Sequence, residues 1–237
     1  MWPPEGEKFE DRTAAGRALG AALAAHLEQR ISGYADVYIP LVLALPRGGV
    51  PVGYEVAKAL NADFDLVVVQ KIGLPWQTRF GVGAIAEGGP PVFDRDAMAS
   101  VGLNVADLAP AVQRERAELL RRQRRYRKGR SAPDAAGRVV VIVDDGLATG
   151  MIARAAVRAI RAAGPAHLVY AAPVCAAECH DWLAEEADAV VDIHSPRDFH
   201  ALGLYYRNFL PCTDHDVERI CTIAWGATTT TTAPVTV

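Results

Sequence analysis

The sequence predicts an α/β fold, a parallel sheet flanked by helices. Val139-Val140-Val141-Ile142-Val143 is a run of five β-branched residues without alternation, the pattern of a strand buried on both faces. Leu41-Val42-Leu43-Ala44-Leu45 is a second apolar run of the same kind. Each stops at a short glycine-bearing loop and passes into a helical pattern, the order that parallel pairing requires. With 237 residues and 51% hydrophobic content, the chain can bury one sizeable core. One domain is expected over residues 1–226, followed by a low-complexity, Thr-rich tail at 227–237 expected to be disordered.

The elements follow in order. Glu10 to Arg30 reads as an amphipathic helix with Leu19, Leu23 and Leu27 on one stripe. Arg12 in its first turn could reach a site, but a solvated first turn is the preferred reading. Pro46-Arg47-Gly48-Gly49 breaks the chain after Leu45, and a helix runs from about Val50 to Leu60. Paired glycines permit positive φ and aim successive N–H groups into one anion nest, with Arg47 as a planar cation beside it. Leu66 to Val69 reads as a third strand. Gln70 to Gly83 reads as a loop with three glycines, one proline and the cations Lys71 and Arg79. Ala84 to Phe93 reads as a strand and tight turn, with Glu87 in a structural role.

Asn104 to Tyr126 is a long polar helix, and residues 121–130 carry seven basic side chains. A solvated helix end favoured by the helix dipole is preferred over a nucleic-acid patch, because only Tyr126 interleaves the run. Met151 to Ala163 is a helix closed by Gly164-Pro165. His167 to Pro173 and Ala189 to Ile193 read as strands around a helix at Glu178 to Glu186. An aromatic segment at 199–209 precedes Thr213-Asp214-His215-Asp216, a capping-box start to a terminal helix.

Several classes are disfavoured. The net charge of −3 argues against a general nucleic-acid binder. No apolar run approaches the ~18 residues of a membrane helix, and the amino terminus lacks an apolar signal core. A cytoplasmic protein is expected. Cys175, Cys179 and the adjacent His180 invite a metal reading, but the spacing is not C-x-x-C and no second pair follows; reduced thiols are expected.

The chemistry concentrates at Asp144-Asp145-Gly146-Leu147-Ala148-Thr149-Gly150. This loop joins the carboxyl end of an inner strand to the amino end of a helix, where open α/β sheets bind anions such as phosphate. Small residues at Ala148, Thr149 and Gly150 allow close backbone approach, and the Thr149 hydroxyl adds a donor. Two carboxylates one step upstream would repel a phosphate; they suit a diol or a hard cation beside it. One phosphate, one diol and one Mg2+ together describe a phosphorylated ribose. No dinucleotide fingerprint or Walker loop competes for that role.

An apolar strand, two acids and a loop ending Thr-Gly resemble the signature of the type I phosphoribosyltransferases. That resemblance implies a Rossmann-like parallel sheet with a small hood, here from the amino-terminal and 174–226 segments. It also implies 5-phosphoribosyl 1-pyrophosphate (PRPP) as substrate and Mg2+ as cofactor, held mainly through PRPP. Asp144 and Asp145 would hold the ribose hydroxyls and the metal. Ala148, Thr149, Gly150 and Met151 would hold the 5′-phosphate, with Gly146 completing the substrate-binding loop. In the family, the loop after the first core strand grips pyrophosphate, often through a strained or cis peptide. Arg47, Gly48 and Gly49 match that place. Lys71 would serve the leaving pyrophosphate and Arg79 the loop that closes over it.

Further motifs are similar to those of a bacterial group of predicted phosphoribosyltransferases. They stand at Asp11 to Gly16, Pro46 to Gly49, Lys71 to Gly73, Gly83 to Gly89, Glu118 to Arg127 and Asp144 to Gly150. Three positions depart from the family pattern. Ala148 replaces the acid that purine-salvage relatives place before Thr-Gly, which disfavours base-assisted purine transfer. Ile152 replaces a phosphate-binding hydroxyl worth about 1 kcal/mol, and Gln70 replaces an arginine.

The resemblance implies transfer of phosphoribose to an unidentified small acceptor; the aromatic 199–209 segment of this chain is expected to shape its pocket. A non-catalytic PRPP or nucleotide sensor that uses the basic run, and a phosphoribosyl hydrolase, are the alternatives. Neither a membrane nor a nucleic acid is expected as a partner. Oligomeric state stays open, a homodimer included.

Overall fold

Five parallel strands form the central sheet of the computed structural model, which describes residues 7–31, 39–74, 76–77 and 80–227. They are β1 (Leu41–Ala44), β2 (Asp63–Leu66), β6 (Val139–Val143), β7 (His167–Val174) and β8 (Ala189–His194), in the order β2-β1-β6-β7-β8. A second, antiparallel sheet contains β3 (Val69–Gly73), β4 (Gly81–Ala86) and β5 (Pro91–Phe93). The longer helices are α1 (Arg12–Arg30), α2 (Gly49–Ala59), α4 (Ala109–Arg127), α5 (Met151–Ala162) and α7 (Asp214–Ala227). Two short ones, α3 (Arg95–Ser100) and α6 (Ala177–Leu183), complete the set.

The unbroken apolar runs have a simple cause. Val139, Val141 and Val143 face Leu19, Leu23 and Leu27 of α1 and Val52 and Val56 of α2. Val140 and Ile142 face Ala153, Ala156 and Val157 of α5. Alternate residues of one strand thus enter two different helical layers, so no position tolerates a polar side chain. Each such Val or Ile contributes roughly 1.5–3 kcal/mol by leaving water.

The third strand needs correction. Leu66 to Val69 is not one strand: β2 ends at Leu66 and β3 begins at Val69. Between them, the Val67 N–H donates to Ala44 O at 3.1 Å, while the Glu87 N–H donates to Val68 O at 2.9 Å. The chain here crosses from the edge of the parallel sheet into the hairpin, both buried, so the apolar run continues although the partner changes. Gln70 to Gly73, expected as loop, is therefore strand.

Most of the basic run is consumed within the protein. Arg127 is 5% exposed; it donates to Asp65 Oδ1 (3.0 Å), Leu66 O (2.6 Å) and both Glu87 oxygens (2.8 and 2.6 Å). Arg121 and Arg122 both donate to Glu118, Arg125 bonds Asp214 and Glu218, and Arg130 lies over Trp225. Glu87 also accepts from Gln123, which bears out its structural role. No helix among the described residues is long and apolar enough to cross a membrane.

Candidate active site

Asp144 follows the last residue of β6, and the loop it opens stays in register with β7: the Asp144 N–H donates to Ala171 O (3.1 Å) and the Leu147 N–H to Val174 O (2.8 Å). Asp144 Oδ1 accepts the Asp145 N–H at 2.8 Å. Asp145 Oδ2 meets Arg12 Nε at 2.7 Å, with the two side chains only 14% and 13% exposed. Arg12 Nη1 donates to Leu210 O at 2.7 Å, and its guanidinium lies 3.9 Å from the centroid of the Phe209 ring. The solvated first turn preferred from sequence is thus overturned: Arg12 points inward to the acid pair.

Burial, and then the neighbouring charge of Asp145, push the Asp144 carboxyl well above its usual range. Tyr206 is buried, and its hydroxyl donates to Asp145 O at 2.6 Å; burial first and Asp145 second raise its pKa.

The loop at 46–49 meets this pair directly. Its Pro46–Arg47 peptide is cis. Gly48 is helical, with φ −62° and ψ −34°, and the Gly49 N–H is spent on Leu45 O at 3.0 Å. Positive φ is therefore not what the paired glycines supply, contrary to the expected nest. They supply proximity. A Cβ on Gly48 would overlap the Asp145 carboxylate, and one on Gly49 would stand 2.6 Å from Val143 O and 2.9 Å from Asp144 Cα. Arg47, about half exposed, lies 3.6 Å from Asp214 Oδ1, an oxygen that also accepts from the Tyr126 hydroxyl.

On the other side of the acids, Ala148 and Thr149 are exposed. Gly150 turns with φ +74°, where a side chain would collide with the Trp182 ring. Leu202 fills the space over Gly146, and Cys179 Sγ lies 3.3 Å from Ala148 O. Among the described residues, no hydrogen bond ties the N–H groups of Ala148, Thr149, Gly150 and Met151. Untied donors at the amino end of a helix of twelve residues are free to receive an acceptor.

The remaining predicted site residues are more scattered. Lys71 is exposed on β3, in the hairpin rather than the parallel sheet, with its stem across Gly81. Arg79 lies outside the described residues. Gln70 is 6% exposed and, in the amide orientation that satisfies both groups, accepts from Arg122 Nε at 3.1 Å. It thus meets Arg122 of α4. Ile152 is 39% exposed beside the untied helix terminus.

The aromatic 199–209 segment is largely packing. Tyr205 and Tyr206 are 5% and 4% exposed and cluster with Phe9, Phe199 and Phe209. Phe9 bonds this segment through its N–H to Tyr205 O at 2.9 Å. Its two tyrosines form core beneath the acid loop, while Asn208 of the same segment lines the cavity beside Arg12. Open space lies to either side. A cavity of about 540 Å³ adjoins Arg12 and is bounded by Tyr54, Leu210, Pro211 and Ile220. Another of about 500 Å³ adjoins Thr149 to Met151, with Arg154, Arg158 and Trp182.

Sequence reasoning missed Tyr206 and Asp214 and set Arg12 aside, although the Asp11 to Gly16 motif contains it. The cap was a further local signal: Asp11 Oδ1 accepts the Ala14 N–H at 2.8 Å, which fixes Arg12 as the first helical residue. The four cysteines are unpaired, and burial raises Cys175 to about 12. Among the described residues, no group of three or more His, Cys, Asp or Glu could hold a metal ion.

Fold and site together define an α/β protein with an acid pair set between a glycine loop and an open helix terminus, all at the carboxyl end of a parallel sheet. The chain belongs to the type I phosphoribosyltransferase family: the family model described as "Phosphoribosyl transferase domain" matches residues 14–201. It is 42% identical over 209 residues to "Putative phosphoribosyl transferase Rv0571c" of Mycobacterium tuberculosis H37Rv, and equally to its counterpart in strain CDC 1551. Those matches cover 88% of this chain but 45% of the relatives, so the chain spans under half their length. The crystal structure of TT1426 from Thermus thermophilus is 39% identical with a TM-score of 0.73; the match covers 90% of this chain and 97% of that one.

Proposed function

We propose that the protein is a Mg2+-dependent enzyme that binds PRPP and transfers phosphoribose to a small acceptor, releasing pyrophosphate. The observation that carries this is the placement of the acid pair between the Arg47 loop and the untied helix terminus at 148–151. The untied N–H groups at 148–151 suit the 5′-phosphate, Asp144 and Asp145 suit the ribose hydroxyls, and the Arg47 loop suits the pyrophosphate.

The residues also fit the cation. Asp144 Oδ1 and Asp145 Oδ2 accept from the Asp145 N–H and Arg12, and the two carboxyls lie against each other, so a hard cation beside them would relieve the repulsion that raises Asp144. Such an acid pair suits Mg2+ that takes its other ligands from the diphosphate, where it would neutralise leaving-group charge. In the transfer, the C1–pyrophosphate bond breaks and the acceptor bonds C1 from the opposite face, with inversion. The chain's own residues position the donor and stabilise positive charge on the ribose through the acid pair. Lys71 and Arg79 are assigned to pyrophosphate. Ala148 offers no base for a purine, so the acceptor is one that needs none from this loop.

The test is calorimetry with PRPP and Mg2+, with pyrophosphate followed over time in the same sample. Saturable binding that weakens strongly in Asp144→Asn and Asp145→Asn, both still folded, is expected; a folded wild-type protein that does not bind PRPP refutes the reading. Pyrophosphate release without an acceptor would instead identify a hydrolase.

A further inference from the structure

The Asp145 side chain is held at a junction of three segments. Its Oδ2 takes Arg12 Nε at 2.7 Å, its carboxylate rests against the bare Cα of Gly48, and its carbonyl accepts from Tyr206. Arg12 is itself fixed by contacts that do not involve Asp145: Nη1 on Leu210 O at 2.7 Å, and its face on the Phe209 ring. A guanidinium clamped this way is a rigid planar donor. On the Gly48 flank no side chain fences the carboxylate, so Arg12 supplies a fixed hold there.

We infer that Arg12 is a positioning residue for the donor site: it fixes the Asp145 carboxylate so that Oδ1 faces the ribose, and fastens it to the 206–210 segment. This deepens the PRPP reading and rests on it. Arg12 is not assigned a contact with the donor. Its effect runs through Asp145, and that separates it from a residue that merely staples the amino-terminal helix to the 206–210 segment.

The experiment measures the PRPP dissociation constant at saturating Mg2+ for the wild type, R12Q, R12K, D145N and R12Q/D145N, with the melting temperature of each. R12Q should bind roughly tenfold more weakly, as expected for loss of a hydrogen bond between charged groups. R12K should fall between, because one ammonium cannot serve Asp145 and Leu210 O with the planar fork's geometry. In the D145N background, R12Q should change affinity less than about twofold, since the carboxylate it holds is gone. Independent, multiplying effects of the two substitutions would overturn the inference, as would R12Q binding like the wild type. Should R12Q fail to fold, R12K takes its place in the cycle. A folded wild type that does not bind PRPP overturns the donor reading and this inference with it. Normal wild-type binding with unaffected R12Q overturns this inference alone.

Discussion

Arg127→Met would test whether the basic run is an internal ionic knot. The native guanidinium serves four acceptors at 2.6 to 3.0 Å while 5% exposed. Its removal leaves the Asp65 and Glu87 side chains, 6% and 10% exposed, without their cation. Asp65 keeps the Leu66 N–H and Glu87 keeps Gln123, so both remain partly satisfied. Stripping one partner from a buried pair costs about 3–5 kcal/mol. At a urea m-value near ~3 kcal/mol/M, that lowers the unfolding midpoint by roughly 1 M or more.

The pH dependence has a definite sign. Burial already raises Asp65 against the opposing pull of Arg127. Without Arg127, the native state binds more protons than the unfolded state above the normal Asp range, so stability falls as pH rises. The deficit should be smaller at about pH 5 than at about pH 8. Arg121→Met, by contrast, cuts an exposed pair with Glu118 and should leave the midpoint unchanged. A loss below about 1 kcal/mol for Arg127→Met, far under the cost of breaking a buried pair, would refute the knot.

Gly49→Ala places a Cβ against two main-chain atoms, Val143 O and Asp144 Cα, that cannot swing aside. Overpacking costs about 1–3 kcal/mol and alanine in a helix returns about 0.5–1, so a modest net loss in urea unfolding is expected. PRPP affinity should drop at least about tenfold, because the loop and the acids are pushed apart; unchanged affinity in calorimetry would contradict that spacing. Asp144→Asn keeps an acceptor for the Asp145 N–H but removes a carboxyl whose pKa burial and Asp145 raise. A raised native pKa means that wild-type stability declines as pH climbs through and above the usual Asp range. The ligand-free Asn variant should therefore be more stable than the wild type above neutrality; parallel pH curves from thermal unfolding would count against this.

Contiguous chemistry was legible in the sequence. The runs at Leu41 and Val139 announced buried strands because each residue of β1 and β6 packs into a helical layer on one face or the other. The loops at 46–49 and 144–150 carry their chemistry in consecutive residues, so their places at strand ends could be read directly. Arg12 and Asp145 are separated by 133 positions, and no local pattern encodes such a meeting. The glycines at 48 and 49 were recognised for the wrong reason, since crowding by a distant strand end leaves no mark on the local sequence. The split at Val67 was hidden because both sheets bury that stretch. Arg127 was hidden because a buried arginine and its solvated basic neighbours look alike in one dimension.

The single carboxylate at position 145 also ties together sequence variation. Any side chain at position 48 would enter the space it occupies, and without it the arginine at position 12 would lose its direct carboxylate partner and keep Leu210 O, the Phe209 face and the more distant charge of Asp144. Positions 12, 48 and 145 should therefore drift together or not at all among descendants of this chain.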